Sequence, residues 1–184
     1  MARRPLVISI AAGLTIASLQ RALGRCPLIR VMPNLPAQVG CGMSAITAGR
    51  WATAAHRRLA RAIFESVGEV VELPERLFDV VTAISGSGPA YYFLIFKALR
   101  DAAVRAGMPA SVAQRLAVQT ACGSACMVSE STDALETWIA RVASKKGTTE
   151  AALKVFAKRK LAEVIQAGVQ AARRRSKELT QCLS

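Results

Sequence analysis

The stretch PAYYFLIFKALRDAAVRAGMPASVAQRLAVQTACGSACMVS, residues 89–129, decides the fold class of this chain. Pro89 and Pro109 stand where proline is favoured, at the start of a helix, and Gly107 stands where a helix would end. No part of the stretch alternates between apolar and polar residues as a strand does. It therefore predicts two long helices, which end at Ala106 and Ser129.

Both helices carry small residues that permit close contact with another helix, namely Ala102, Ala103, Ala121, Gly123, Ser124 and Ala125. Helix faces of this kind often continue into a second chain. We therefore predict a homodimer or a higher homo-oligomer.

The rest of the chain after Pro74 has the same helical character, with start and stop signals around each segment. The predicted helices are Glu75–Ile84, Asp133–Ala143, Thr149–Lys158 and Leu161–Leu179. We expect residues 74–184 to form one all-helical domain.

The part before Pro74 differs, because short β-branched runs alternate there with glycine turns. Strands are predicted at Leu6–Ile10, Leu28–Met32, Gly42–Thr47 and, more weakly, Glu69–Leu73, with helices at Leu14–Leu23 and from Ala52 onward. So few strands make no stable parallel sheet alone. Residues 1–73 are therefore predicted to be the last strands and a helix of a larger α/β domain, in a chain that is mostly α.

The N-terminus imitates a secretory signal peptide, because the basic residues of Met1–Arg4 precede an apolar run. Ser9, Thr15 and Ser18 interrupt that run, and its first half has the composition of a buried strand. We favour the strand. No stretch reaches the roughly 18 uninterrupted apolar residues that a membrane span needs, so we expect no membrane association.

The composition, 52% hydrophobic over 184 residues, predicts a packed core, and the net charge of +13 raises the question of an anionic partner. The basic residues are not interleaved with aromatics that stack on bases. Solvated helix faces explain most of them, so nucleic-acid binding is disfavoured.

The five cysteines form no C-x-x-C pair and are odd in number, which argues against a disulfide framework and for a reducing, cytoplasmic compartment. Cys122 and Cys126 are four apart and share a helix face. The single histidine, His56, is far away in sequence, so we favour core filling over a metal site.

Three turns rich in glycine and hydroxyl groups are candidate sites. Ala11, Ala12 and Gly13 follow the first predicted strand, and Asn34 and Pro36 follow the second, at the carboxyl edge where open α/β sheets bind ligands. Two ordinary tight turns explain this pattern equally well.

The other two turns precede predicted helices. In Ser85-Gly-Ser-Gly-Pro89, just after Thr82, two glycines allow close backbone approach, and free amides at the helix start suit an anion or a packed neighbour. The turn from Ser144 to Thr149 adds Gly147 and two lysines and would hold a small carboxylate, although a plain N-cap by a threonine is favoured on local grounds.

Taken together, three segments resemble the characteristic blocks of pyrroline-5-carboxylate reductases. They are RVMPNLPAQVGCGMSAI (30–46), VTAISGSGPAYYF (81–93) and KKGTTEAAL (145–153), followed by RSKEL (175–179). The resemblance extends from Leu6 to Leu179. It implies reduction of the cyclic imine of pyrroline-5-carboxylate to L-proline by hydride transfer from NADPH or NADH.

By matching positions, the resemblance also implies roles for the candidate residues. Thr82 would be the catalytic residue that hydrogen-bonds the ring nitrogen. The substrate carboxylate would be held by Ser144, Gly147 and Thr149. The cofactor would lie along Ala11, Ala12, Gly13, Asn34 and Pro36. Residues 1–73 would be the remnant of a Rossmann-type dinucleotide-binding domain, residues 74–184 would be the substrate-binding and dimerisation domain, and no metal is expected.

Two departures from the family pattern stand out. Lys145 and Lys146 replace a proline and a glycine, so the turn is strained if that glycine had a positive φ. The family's glycine-rich phosphate loop lies ahead of the matching region, so we expect an N-terminally truncated member with weakened cofactor binding. A non-catalytic helical dimerisation protein and a basic polyanion-binding module stay open as alternatives.

Overall fold

A computed structural model describes residues 5–183; Met1–Arg4, the basic start weighed above, lie outside the described residues. The described residues form two compact units, 5–90 with 167–183 and 91–166. The domain boundary inferred near Pro74 from the sequence stays a prediction. Among the described residues, no helix is both long and apolar enough to cross a bilayer.

The first unit is built on a four-stranded sheet with the strands in chain order. The strands are β1 (Val7–Ser9), β2 (Leu28–Met32), β3 (Gly42–Ala48) and β4 (Gly68–Glu72). The β1–β2 and β3–β4 pairs are parallel, and the β2–β3 pair is antiparallel. The α/β prediction is confirmed, and the antiparallel pair makes the sheet mixed.

One face of the sheet packs on helix α2 (Ala54–Glu65). The buried core there consists of Ile29, Val31, Ile46 and Ala60. Thr53 caps α2 by accepting a hydrogen bond from the His56 amide, while the His56 ring accepts one from the Thr53 amide. This reciprocal cap satisfies two amides that a helix start otherwise leaves free.

The central strand β2 carries a buried charge at Arg30, whose side chain is only 6% exposed. Its Nη1 lies 2.8 Å from Glu75 Oε1, and its guanidinium lies 4.7 Å from the centre of the buried Phe78 ring. The same Glu75 oxygen accepts a 2.7 Å hydrogen bond from the Ile16 amide, the first residue of helix α1 (Ile16–Leu23). One carboxylate thus joins the sheet, α1 and the segment after Pro74.

That segment is not the single helix Glu75–Ile84 that the sequence predicts. A 3₁₀ turn (Glu75–Leu77) leads into a short helix α3 (Phe78–Val81) and then a π-helical turn (Thr82–Gly86). The Ser87 amide donates to the Thr82 carbonyl at 2.8 Å and closes the wider turn. Turns of this π type are frequent at functional sites.

The remaining helices follow the predicted order closely. They are α4 (Gly88–Arg105), α5 (Ala110–Ser129), α6 (Leu135–Val142), α7 (Thr148–Lys158) and α8 (Leu161–Leu183). The structure describes no strand in residues 75–183, which confirms the all-helical prediction. Core filling is wrong for Cys122 and Cys126, because both are exposed.

Replacing Glu75 by glutamine tests the Arg30 contact. The substitution keeps size and a hydrogen-bond acceptor but leaves the buried guanidinium without a counter-charge, so we expect a loss of about 2–4 kcal/mol of unfolding free energy. The matched control is Glu72→Gln, which breaks an exposed pair with Arg57 at 3.6 Å and should cost less than about 1 kcal/mol. Equal losses in urea unfolding of the two variants would contradict this assignment.

Candidate functional site

The Asn34 side chain connects three segments at the carboxyl end of β2. Its Oδ1 accepts a 2.8 Å hydrogen bond from the Met43 amide in β3. Its Nδ2 lies 3.3 Å from both the carbonyl and the hydroxyl oxygen of Ser85. All the strong hydrogen-bonding capacity of this amide is therefore directed within the first unit, between β3 and the π-helical turn.

The π-helical turn lies directly against the end of β2. A Cβ built on Gly86 would come within 2.8 Å of Met32 Cε and 3.7 Å of Thr82 Cγ2. A side chain at this position would therefore have to displace the flexible end of Met32. The structure brings Thr82, Ser85 and Asn34 into one neighbourhood at this sheet edge.

The Thr82 hydroxyl has a defined orientation. Its Oγ1 donates a 2.8 Å hydrogen bond to the Phe78 carbonyl, one helical turn back. Because the hydroxyl proton is used in this bond, the lone pairs of the oxygen stay available to accept. Thr82 is half-buried, and in this rotamer it presents an acceptor rather than a donor.

The turn after β1 has two different sides. Ala11 and Ala12 are exposed, whereas Gly13 is buried and has φ +79°. A Cβ on Gly13 would lie 2.8 Å from Leu183 Cδ1 and 3.6 Å from the Leu179 carbonyl oxygen. The C-terminal end of α8 therefore covers Gly13 and leaves the two alanines open.

The end of α8 is held to the same unit by a polar contact that sequence reasoning missed. Ser176 Oγ donates a 2.7 Å hydrogen bond to Asp79 Oδ1, across a separation of 97 residues. No local pattern marks either residue as a partner, because the pairing depends on how α8 returns to the first unit.

Pro36 lies in the 3₁₀ turn Leu35–Val39, where proline is favoured near the start.

The turn from Ser144 to Thr149 belongs to the second unit. The Gly147 amide donates a 3.0 Å hydrogen bond to the Ser144 carbonyl, and a Cβ on Gly147 would collide with Ser144 Oγ. Gly147, not a threonine, is the N-cap of α7, so the favoured threonine cap is wrong. Ser144 is exposed, and Thr149 is half-buried in the first turn of α7.

The first amides of α7 have no partner inside the helix, as at any helix start, and this makes the turn suitable for a carboxylate. One internal carboxylate already uses a neighbouring amide, since Glu150 Oε2 accepts from the Lys146 N–H. Lys146 takes φ +60°, the left-handed conformation that favours glycine. Lys154 Nζ lies 2.6 Å from Glu150 Oε1.

The charge on Glu150 is stabilised by these contacts. The pKa of the Glu150 carboxyl lies below its ordinary value of 4.5. The larger cause is the hydrogen bond from the Lys154 ammonium, and the second is the hydrogen bond from the Lys146 amide. Glu150 is therefore ionised throughout the neutral range and holds the turn through charge-assisted hydrogen bonds.

The predicted site residues thus form two groups. Ala11, Ala12, Gly13, Asn34 and Pro36 lie with Thr82 in the first unit, and Ser144, Gly147 and Thr149 lie in the second. Among the described residues, no cluster of three or more His, Cys, Asp or Glu side chains is placed to hold a metal ion.

Comparison with known proteins identifies the family of this chain. Residues 75–179 match the family model described as pyrroline-5-carboxylate reductase dimerisation. A pyrroline-5-carboxylate reductase of Synechocystis sp. is 46% identical over 178 residues, which cover 97% of this chain and 67% of the relative. The Arabidopsis thaliana enzyme of the same name is 39% identical, covering 98% of this chain and 66% of its own length.

Solved structures agree with these relatives. Plasmodium falciparum pyrroline carboxylate reductase with NADP bound superposes with a TM-score of 0.90 at 32% identity, covering 95% of this chain and 71% of that one. The Coxiella burnetii pyrroline-5-carboxylate reductase gives 0.90 at 37% identity, covering 95% and 66%. This chain belongs to the pyrroline-5-carboxylate reductase family and spans about two thirds of the length of these relatives.

Gly13→Ala tests the packing of α8 on the β1 turn. We expect about 1–2 kcal/mol of left-handed strain, and a further cost of up to about 1 kcal/mol because the end of Leu183 has to move. Gly40→Ala is the matched control, because Gly40 has φ +74° and nothing lies within 4 Å of its Cβ position. Urea unfolding should show the larger loss for Gly13→Ala, with part of the excess recovered in Gly13→Ala/Leu183→Ala. Equal losses for the two glycines would refute the contact.

The turn before α7 should respond to acid. Because the pKa of Glu150 is lower in the folded chain than its ordinary value of 4.5, its stabilising contribution is complete above that value and is lost as pH falls through the lower, folded pKa. The Lys146 amide shift, followed by NMR from pH 7 to 2, should therefore move only below about pH 4.5. Glu150→Gln should abolish this titration, and a transition above pH 5 would count against the assignment.

Proposed function

We propose that this chain acts in the reduction of 1-pyrroline-5-carboxylate to L-proline, with NADPH or NADH as the hydride donor. Family membership supports the reaction class, and the observation that carries the proposal for this chain is the orientation of Thr82. Its turn is tied to the carboxyl end of β2 by Asn34 and Ser85, at the edge of the sheet where dinucleotides bind in α/β domains.

The residues present fit a dinucleotide at this edge. Ala11 and Ala12 are small and exposed at the carboxyl end of a parallel strand, so a cofactor can lie against their backbone. Asn34 directs its side chain to Met43 and Ser85, so its role is to hold the π-helical turn against the sheet. When bound, the nicotinamide supplies the hydride, and the protein supplies position.

Thr82 gives the substrate its polar contact. Because its proton is donated to the Phe78 carbonyl, its oxygen accepts a hydrogen bond from the protonated imine nitrogen of the substrate. That bond favours the iminium form, whose carbon is the better hydride acceptor. No side-chain acid or base is needed beyond this contact, and catalysis follows from orientation of the two reactants.

The substrate carboxylate is assigned to the turn before α7. The free amides of the first helical turn and the hydroxyls of Ser144 and Thr149 suit a small anion, and Gly147 leaves room for the Ser144 hydroxyl. Glu150 fixes the turn by binding the Lys146 amide, so the remaining amides are preset for the ligand.

We also propose that the chain works as a homodimer or a larger homo-oligomer. The match of residues 75–179 to the dimerisation model supports this assembly. Large apolar side chains of α4 are exposed in the single chain, among them Tyr92, Phe93 and Leu94, and exposed apolar surface of this kind marks an interface. The same match favours the second candidate function, a helical dimerisation protein without catalysis.

Thr82→Val separates these candidates. The substitution preserves shape and removes the acceptor oxygen. We therefore expect kcat/KM for pyrroline-5-carboxylate to fall by an amount equivalent to a loss of about 1–3 kcal/mol in transition-state stabilisation. Thr137→Val, on the exposed surface of α6, is the control and should leave kcat/KM unchanged. NADPH oxidation is followed with the 184-residue chain and with a fusion that places a glycine-rich βαβ segment of a relative ahead of Leu6.

The outcomes distinguish catalysis from scaffolding. Proline formation that depends on Thr82 in either protein supports the reductase. If the 184-residue chain and the fusion both fold and self-associate but neither forms proline, the result would instead favour the dimerisation protein. Equal kcat/KM for wild type and Thr82→Val would remove Thr82 from the site and leave the family assignment intact.

A further inference from the structure

Cys122 and Cys126 form a pair that the proposed reaction does not use. Both lie in α5, one helical turn apart, and both are exposed free thiols. Of the other cysteines, Cys26 is buried, and Cys41 and Cys182 are exposed at distant positions in the sequence. The pair is therefore the one place among residues 5–183 where two cysteines lie a single helical turn apart.

The pair points away from the buried side of α5. The buried residues of this helix are Ala113 and Ala117. At 100° per residue, Cys122 and Cys126 lie about 140° and 180° around the helix from Ala117. In the single chain, a ligand can thus reach both sulfur atoms.

The spacing favours a bridging atom over a disulfide. Residues four apart on a helix have Cβ atoms about 5–6 Å apart, whereas a disulfide needs about 3.5–4.5 Å. Closing a direct S–S bond would therefore distort α5. A metal or metalloid atom bonded to both sulfur atoms, with bonds of about 2.3 Å each, spans the distance between them and leaves the helix intact.

The two thiols also influence each other. The neighbouring Cys122 raises the pKa of the Cys126 thiol, because a second negative charge beside the first is opposed, and partial desolvation and a hydrogen bond that the Cys126 thiol donates to Cys122 add to the effect. A raised pKa lowers the fraction of reactive thiolate at neutral pH. A ligand that replaces both thiol protons together gains from the proximity of the two sulfur atoms.

The chemistry of the ligand follows from the number of donors. No third His, Cys, Asp or Glu joins the pair among the described residues, so a closed four-ligand zinc site is excluded there. We propose that Cys122 and Cys126 form a two-thiol chelating site for thiophilic metalloids, and that a monosubstituted trivalent arsenical is the matching ligand. With phenylarsine oxide, two S–H bonds and the As=O bond are replaced by two As–S bonds, and one water molecule leaves without any change in oxidation state.

Phenylarsine oxide is the probe for the test, applied to the folded protein in its native oligomeric state. We expect one adduct per chain by intact mass spectrometry, the loss of two titratable thiols, and unchanged helicity by circular dichroism. Cys122→Ser and Cys126→Ser should each weaken binding by about 10²-fold or more, because the second bond is no longer intramolecular. Cys41→Ser and Cys182→Ser are the matched controls and should bind as the wild type does.

Protection from alkylation gives a second readout that needs no variant. In wild-type protein, bound phenylarsine oxide should protect the peptide that carries Cys122 and Cys126, and a dithiol should release it. Zinc chloride should not protect this peptide at the same concentration. Protection of Cys41 or Cys182 instead, undiminished binding to Cys122→Ser, or no adduct on the folded protein would overturn the proposal.

Discussion

The ion pair between Arg30 and Glu75 is the constraint on which the first unit depends. A guanidinium buried in the central strand requires a counter-charge, and that charge comes from the segment that leads to Thr82. Because Glu75 also caps the Ile16 amide, the position of α1 is set by the same carboxylate. This carboxylate therefore contacts both the strand and the helix and stands at the start of the segment that leads to the π-helical turn, and the Phe78 ring lies over the Arg30 guanidinium.

Asn34 also links the sheet to the segment after Pro74, at a point closer to the proposed site. An ion pair can place the segment 75–86 on the sheet, but it cannot fix the orientation of a turn that lies 10 residues further on. The Asn34 amide does so by holding the Met43 amide and both oxygens of Ser85. Gly86, packed against Met32, adds a further contact between the sheet and the turn that carries Thr82.

The sequence allowed the regular elements to be predicted because their signals are local. Strand β2 was predicted at Leu28–Met32, where it is found, and α5 within one residue at its start. The antiparallel β2–β3 pair, the π-helical turn and the Arg30–Glu75 contact have no local signal, since they depend on partners far apart in the sequence, 45 residues for Arg30 and Glu75 and 51 for Asn34 and Ser85. The cysteine pair was misassigned because helical spacing defines a shared face but not whether that face is covered.

The turn before α7 shows how a departure from a family pattern can be accommodated. Lys146 adopts φ +60°, a conformation that costs a lysine about 1–2 kcal/mol relative to glycine. The Glu150 carboxylate offsets part of this cost by accepting from the Lys146 amide and pairing with Lys154. A carboxylate of the protein thus stabilises the strained end of the turn, which leaves the amides of Thr148 and Thr149 for a carboxylate from outside. The lysines that replace smaller residues are in this way compatible with anion binding, because they add positive charge where the backbone already supplies donors.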